Sequence, residues 1–291
     1  MINNKIDFMM TLEVKNANPN GDPLAGNMPR VDSLGYGIMS DVCLKRKVRN
    51  RMQDQYKENN LGEGYDIFVK ANDRIDDGFN SLEKRYTDIL GKEKDPVIIE
   101  QTVNEKWIDV RSFGQVITFN NNSVGIRGPV SIGISKSLDP VITETMQIVR
   151  STNGQDPKGK ARSSDTMGSK NYINYGVYLV QGSVNCYYSE RTGFDEKDLD
   201  ILKESLRTLF INDVSSARPD GSMEVKEIYW FKHSNKLGDI SSSKIKQLAK
   251  WDELDINNTN PTYEDYNFRL DEEKLNEYKQ MGLELEIIEG I

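Results

Sequence analysis

Residues 6–51 read Ile6-Asp-Phe-Met-Met-Thr-Leu-Glu-Val-Lys-Asn-Ala-Asn-Pro-Asn-Gly-Asp-Pro-Leu-Ala-Gly-Asn-Met-Pro-Arg-Val-Asp-Ser-Leu-Gly-Tyr-Gly-Ile-Met-Ser-Asp-Val-Cys-Leu-Lys-Arg-Lys-Val-Arg-Asn-Arg51. Ile6, Phe8, Met10, Leu12 and Val14 alternate with Asp7, Met9, Thr11, Glu13 and Lys15. Period two predicts a strand with one buried face. Pro19, Gly21, Pro23, Gly26, Pro29, Gly35 and Gly37 then interrupt regular structure, giving a long loop. Ser40 or Asp41 can cap the helix that follows, about Ser40 to Lys57, whose apolar stripe is Leu44, Val48 and Met52. Lys45, Arg46, Lys47, Arg49 and Arg51 crowd its start. Free amides, a helix dipole and a row of cations make a phosphate site. A solvated basic surface is the competing reading.

The rest of the composition bounds the class. The 291 residues fit one large domain with insertions or two modest ones. Hydrophobic content of 36% and charged content of 29% describe a polar chain. No apolar run approaches the roughly 20 residues that span a bilayer, and Met1 to Asp7 lacks the pattern of a signal peptide. Cys43 and Cys186 stand far apart, so neither a disulfide framework nor a zinc site is implied, and no metal or cofactor is expected. A cytoplasmic protein without membrane contact is the expectation. The net charge of −8 is unevenly spread. Trp251 to Ile291 holds 12 acidic and 3 basic residues, a balance of −9, so the remainder carries about +1. Arg30 to Arg51 holds 6 basic and 2 acidic residues, and Arg150 to Lys170 holds 5 and 2. Cationic segments on a near-neutral body suit a local phosphate-binding groove.

Further along, residues 60–109 are mixed and charged, with a helix predicted from Phe79 to Leu90, and read as an insertion. Val124, Ile126, Val130, Ile132 and Ile134 share one parity, with Arg127, Ser131, Gly133 and Ser135 on the other, and Gly128-Pro129 marks a bulge or edge. Residues 151–176 form a long loop poor in aliphatic side chains, in which Lys158, Lys160, Arg162 and Lys170 bracket a hydroxyl-rich run. Such cations can bind phosphates, and Met167 can wedge between bases. Val177 to Tyr187 is a strand; Asp195 caps a helix with Phe194 stapled to Leu199; Val225 to Lys232 is a last strand. The order β, α, β, β, α, β is that of an α+β, ferredoxin-like core shared with RNA-recognition motif (RRM) domains. Helices are expected near Ser241–Trp251 and Asp271–Met281.

Catalysis finds little purchase. His233 is the only histidine, with no sequence hint of a catalytic partner, so it reads as an ordinary surface or strand-end residue. Asp22, Asp32 and Asp41 raise a metal-dependent ribonuclease as the alternative, since carboxylates beside RNA can hold a divalent ion. Turn and cap duties account for Asp22 and Asp41 equally well. The run Arg111-Ser-Phe-Gly-Gln-Val-Ile-Thr-Phe meets the RNA-recognition signature only in part and precedes the wrong strand.

The Asn-Pro-Asn-Gly-Asp-Pro loop from Asn18, Pro29-Arg-Val-Asp, the Ser40-Asp-Val-Cys-Leu-Lys-Arg-Lys-Val-Arg helix, Arg111-Ser-Phe-Gly and Arg127-Gly-Pro-Val together resemble one family. That family is the CRISPR Cascade backbone subunit, the Cas "seven" family, and the chain is most similar to its type I-C member. The likeness runs from about Ile6 to Lys232. It implies a core over residues 1–236 with a finger insertion at about 60–110 and a thumb loop at about 151–176, followed by an acidic helical extension over 237–291. It also implies a non-catalytic subunit that binds crRNA by its backbone and displays bases to target DNA. Further copies stacked head to tail and other Cascade subunits would be its partners. Phosphate contacts would come from Asn18, Asn20, Arg30, Lys45, Arg46, Arg49 and Arg127, with Arg111, Gln115 and Ser131 facing the strand. Lys160, Arg162, Met167 and Lys170 would act from the thumb.

Overall fold

A computed structural model describes residues 1–149, 167–255 and 257–291. Lys160, Arg162 and most of the expected thumb lie outside the described residues. The strands are β1 (Ile6–Ala17), β2 (Gly21–Asp22), β3 (Met28–Pro29), β4 (Tyr36–Met39), β5 (Gly114–Ile117), β6 (Val124–Arg127), β7 (Val130–Ile132) and β8 (Ser135–Pro140). They continue as β9 (Thr143–Val149), β10 (Met167–Val184), β11 (Met223–Lys232), β12 (Ala249–Lys250), β13 (Arg269–Leu270) and β14 (Glu284–Glu289). The helices are α1 (Asp41–Glu58), α2 (Leu82–Leu90), α3 (Pro96–Lys106), α4 (Ile108–Phe113), α5 (Cys186–Thr192), α6 (Glu196–Arg207), α7 (Ser242–Lys246) and α8 (Glu272–Gln280).

One sheet organises the chain in the order β14-β11-β1-β10-β8-β4, with β7 and β9 also pairing β10. Its neighbours run antiparallel, with Ile6 opposite Val184 on one side and Lys232 on the other. Phe8, Met10, Leu12 and Val14 face α1 and α6, meeting Leu44, Val48 and Met52 from one helix and Leu199, Leu202 and Leu206 from the other. The predicted stripe and the Phe194–Leu199 pairing both sit in this core. Asp195 and Asp198 close a reciprocal cap at the start of α6.

The expectation of a single buried face on β1 is corrected. Met9 joins Tyr229 and Phe231 under Ile240, Ile245, Leu248, Leu275 and Tyr278 from the C-terminal segment. Thr11 Oγ1 lies 3.0 Å from the Tyr263 hydroxyl, which donates to Glu227 at 2.8 Å. On the same side His233 Nδ1 accepts from the Asp239 amide at 2.9 Å, so Nε2 carries the proton toward Asp7, also 2.9 Å away. The only histidine is a buried structural pin.

The C-terminal segment holds both expected helices, α7 shorter than expected and α8 nearly in full, and adds strands that the sequence did not predict. After α7 come the paired β12 and β13, then α8, then β14, which adds to β11 with Ile288 opposite Ile228. Leu285 and Ile288 are half-buried and pack against the two cores.

The insertion after α1 has a core of its own: Phe68, Tyr86, Ile99, Val103, Trp107, Val110, Ile117, Val124 and Ile126. It therefore runs on past residue 110 to β6, which pairs β5 and not the main sheet. The chain leaves it at Gly128, where a Cβ would lie 2.2 Å from the Ser112 carbonyl oxygen. Only glycine permits that approach.

Candidate nucleic-acid interface

Ser40 is the residue that caps α1. Its Oγ accepts from the Cys43 amide at 3.3 Å, and Asn20 Oδ1 accepts from both the Ser40 amide (2.9 Å) and hydroxyl (3.0 Å). Asn20 thus clasps the loop to the helix start. The basic row behind it is largely neutralised from within. Lys45 bonds Asp41 at 3.1 Å, and Arg46 donates to the Val69 carbonyl at 2.7 Å. Lys47 is buried against Asp213. Arg49 donates to Asp109 at 2.9 Å while lying over the Phe113 ring, and Arg51 donates to Thr208 Oγ1 at 2.8 Å and pairs with Glu58. Burial pushes the Lys47 ammonium below its ordinary range, against the pull of Asp213. Asp109 is fully buried and also accepts from the Phe68 and Val69 amides, so it bolts the insertion to α1.

Arg111 is interior as well. It forms a two-pronged pair with Asp198, at 2.8 and 2.7 Å, and donates to the Gly64 and Asn104 carbonyls. Burial raises the Asp198 carboxyl even against that guanidinium. The side chain expected to face a bound strand thus has its donors engaged inside the protein. Gln115 folds onto the neighbouring Val116 carbonyl at 3.1 Å.

Other expected residues do reach the surface. Arg127 is exposed at the end of the β5–β6 hairpin, and its guanidinium makes no ion pair or hydrogen bond among the described residues. Ser131 is exposed on β7 opposite Ser183. Arg30 is part-exposed, 3.4 Å from Asp22. Asn18 is buried, its amide nitrogen 2.7 Å from the Asn27 carbonyl and its Oδ1 without a partner among the described residues.

The loop carrying these residues docks on the β9–β10 hairpin. Asn171 Nδ2 donates to the Gly26 carbonyl at 2.8 Å, and the Thr145 hydroxyl reaches Met28 Sδ at 3.4 Å. Alternation along β10 puts Met167 on the loop-facing side with Asn171 and sends Lys170, opposite Met146, to the other side. Met167 is 59% exposed. The structure therefore gathers Asn18, Asn20, Arg30, the α1 start and the hairpin carrying Met167; it leaves Arg111 out.

The carboxylates of the ribonuclease alternative hold their own loop. Asp22 accepts from the Leu24 amide, and Asp32 from Leu34, Tyr36 and Lys136. The Lys136 bond holds the Asp32 carboxyl below its usual range. Among the described residues no three His, Cys, Asp or Glu side chains converge as a metal set.

Residues 4–271 match the family model described as "CRISPR-associated protein Cas7", and the chain belongs to that family. A Haloferax volcanii protein described as "CRISPR-associated protein Cas7" is 28% identical over 226 residues, 68% of this chain. The match covers 62% of that relative, less than two thirds of its length. A chain of a solved "CRISPR RNA-guided surveillance complex, pre-nicking" aligns with a TM-score of 0.48 at 15% identity, covering 78% of each chain. A second, from a "CRISPR RNA-guided surveillance complex", aligns at 0.45 and 15% identity, covering 78% of this chain and 68% of that one. No helix among the described residues is long and apolar enough to cross a membrane.

Sequence reading missed the counter-ions Asp109, Asp198 and Asp213, each far along the chain from the cation it holds. One signal was available: Asp109 interrupts the apolar run Trp107-Ile-Asp-Val110. An acid there must be buried with a partner.

Proposed function

We propose that this chain is a non-catalytic backbone subunit of a type I, I-C-like CRISPR surveillance complex, working in the cytoplasm. It holds crRNA by the phosphates and leaves bases free for target DNA. The convergence of the 18–30 loop, the α1 start and the β9–β10 hairpin carries the reading, in a chain of the Cas7 family. The strand order β11-β1-β10-β7, with α1 and α6 on one face, supports a ferredoxin-like core. Residues 60–127 would be the finger and the β9–β10 hairpin the base of the thumb. The sheet face on which an RNA-recognition motif stacks bases is filled by the chain's own C-terminal segment, which favours contact through loops and edge cations. Sequence-blind phosphate contacts suit a guide that varies. Copies stacked head to tail would form an open helix along one RNA, beside other Cascade subunits.

Anisotropy titrations with unrelated single-stranded RNAs of equal length test this. Equal affinities are expected, and Arg127→Ala or Arg30→Ala should each weaken all of them and lower the salt slope by about 0.7. Lys47→Ala should leave the slope unchanged. Marked sequence preference, or indifference to RNA at low salt, would overturn the reading.

A further inference from the structure

The outer face of the β5–β6 hairpin is nearly bare of side chains. Pairing sets Gly114 opposite Arg127 and Val116 opposite Gly125. These four share the face turned away from the insertion's core, to which Ile117, Val124 and Ile126 belong. Val116 is 64% exposed, and Gly125 and Arg127 are exposed as well. The two glycines differ in kind. Gly114 is required by the backbone: its φ is +78°, and a Cβ there would lie 2.2 Å from the Ile126 carbonyl oxygen. Gly125 lies outside the left-handed region, and a Cβ there would meet no atom within 4 Å. Among the described residues no other glycine is free on both counts. Glycine inside a strand costs backbone entropy and packs against nothing, so the fold gains nothing from it here. A ligand that must approach bare backbone closely does gain.

Charge indicates which ligand. From Val110 to Leu138 there is no Asp or Glu, the longest such stretch in a chain that holds 46 of them in 291 residues. Of its cations, Arg111 is bound to Asp198 and Lys136 to Asp32, which leaves the Arg127 guanidinium unpaired among the described residues. Glu93 meets the hairpin tip only through its carbonyl, 3.1 Å from Asn122 Nδ2, and turns its carboxylate onto the Lys94 and Asp95 amides. The face therefore complements an anion. A single nucleic-acid strand offers what it lacks: a phosphate for Arg127, and a flat base and ribose to lie on bare backbone beside Val116. The Arg49–Asp109 pair and the close approach at Gly128 tie the hairpin to α1 and the main sheet, so little ordering is left for binding to accomplish.

On the RNA-binding reading above, on which this rests, we infer that the hairpin face seats one nucleotide of the bound strand. Its base and ribose lie against the backbone at Gly125 and against Val116, and its phosphate meets Arg127. The test uses the full chain, a fluorescein-labelled single-stranded RNA and Gly125→Val. A side chain at 125 meets no atom of the protein and valine favours a strand, so the thermal midpoint should hold or rise. RNA affinity should nevertheless fall about tenfold, as for the loss of one stacked base, and less for Gly125→Ala. Arg30→Ala, titrated alongside, separates the two claims. If it weakens binding while Gly125→Val does not, the seat on the hairpin is overturned and RNA binding stands. If the parent chain ignores RNA at low salt, both fall. A lower midpoint for Gly125→Val would make the glycine structural and overturn the assignment. Self-association in sedimentation that Gly125→Val abolishes, with RNA affinity untouched, would overturn it too by placing a second copy on this face.

Discussion

Arg111 and Arg127 carry the same guanidinium into opposite surroundings, one locked on a buried carboxylate and the other open to solvent. Nothing local in the sequence separates them, because what distinguishes them is Asp198, brought in by the fold. Arg111→Ala leaves that acid buried and alone. Unfolding in urea should show a loss of about 3–5 kcal/mol, partly restored by adding Asp198→Asn. Asp76 gives a pH-dependent counterpart. Burial opposes its ionisation, yet bonds from Lys57 and Lys70 hold its pKa at about 2. A carboxyl whose folded pKa lies below the unfolded value of about 3.9 adds stability above that value and loses it as pH falls. Urea midpoints measured from pH 6 down toward pH 2 should therefore decline, and Asp76→Asn should decline less. A mutant that tracks the parent would show that Asp76 contributes nothing to acid sensitivity.

Among the elements, those with strong periodicity or a cap were legible. The α1 stripe, the α6 cap and the alternation of β1 follow from side-chain spacing alone. Less legible was allegiance. Val124 and Val130 share a parity, yet β6 closes the insertion and β7 joins the main sheet, divided at Gly128. Parity reports which residues share a face, never which sheet owns it. The counter-ions of the α1 cations were hidden for a related reason: a row of Lys and Arg looks alike whether its acids are near or absent. Gly128→Ala would push a methyl group into the Ser112 carbonyl. A loss of roughly 1–3 kcal/mol is expected, read as a lower thermal midpoint. If the midpoint holds, the tight approach is not structural.

At the scale of the molecule, the acidic extension expected as helices over 237–291 also supplies part of the core. Its apolar positions, Ile245, Leu248, Leu270, Leu275 and Tyr278, are too scattered for a periodic signal, yet they assemble over Met9, Tyr229 and Phe231. A chain ending at residue 236 would uncover that face and the β11 edge together. It should bind a hydrophobic dye strongly and aggregate on concentration, while the full chain stays dispersed. Equal dye binding would mean the tail is dispensable.

The central strand has a consequence for how the chain is made. β1 leaves the ribosome well ahead of its neighbours β10 and β11, and the cover for Met9 comes later still. The sheet cannot be assembled in the order of translation. Closure of a loop from β1 to β11 precedes any gain from the centre, so maturation should be slow and the nascent chain should need shelter until α8 and β14 have emerged.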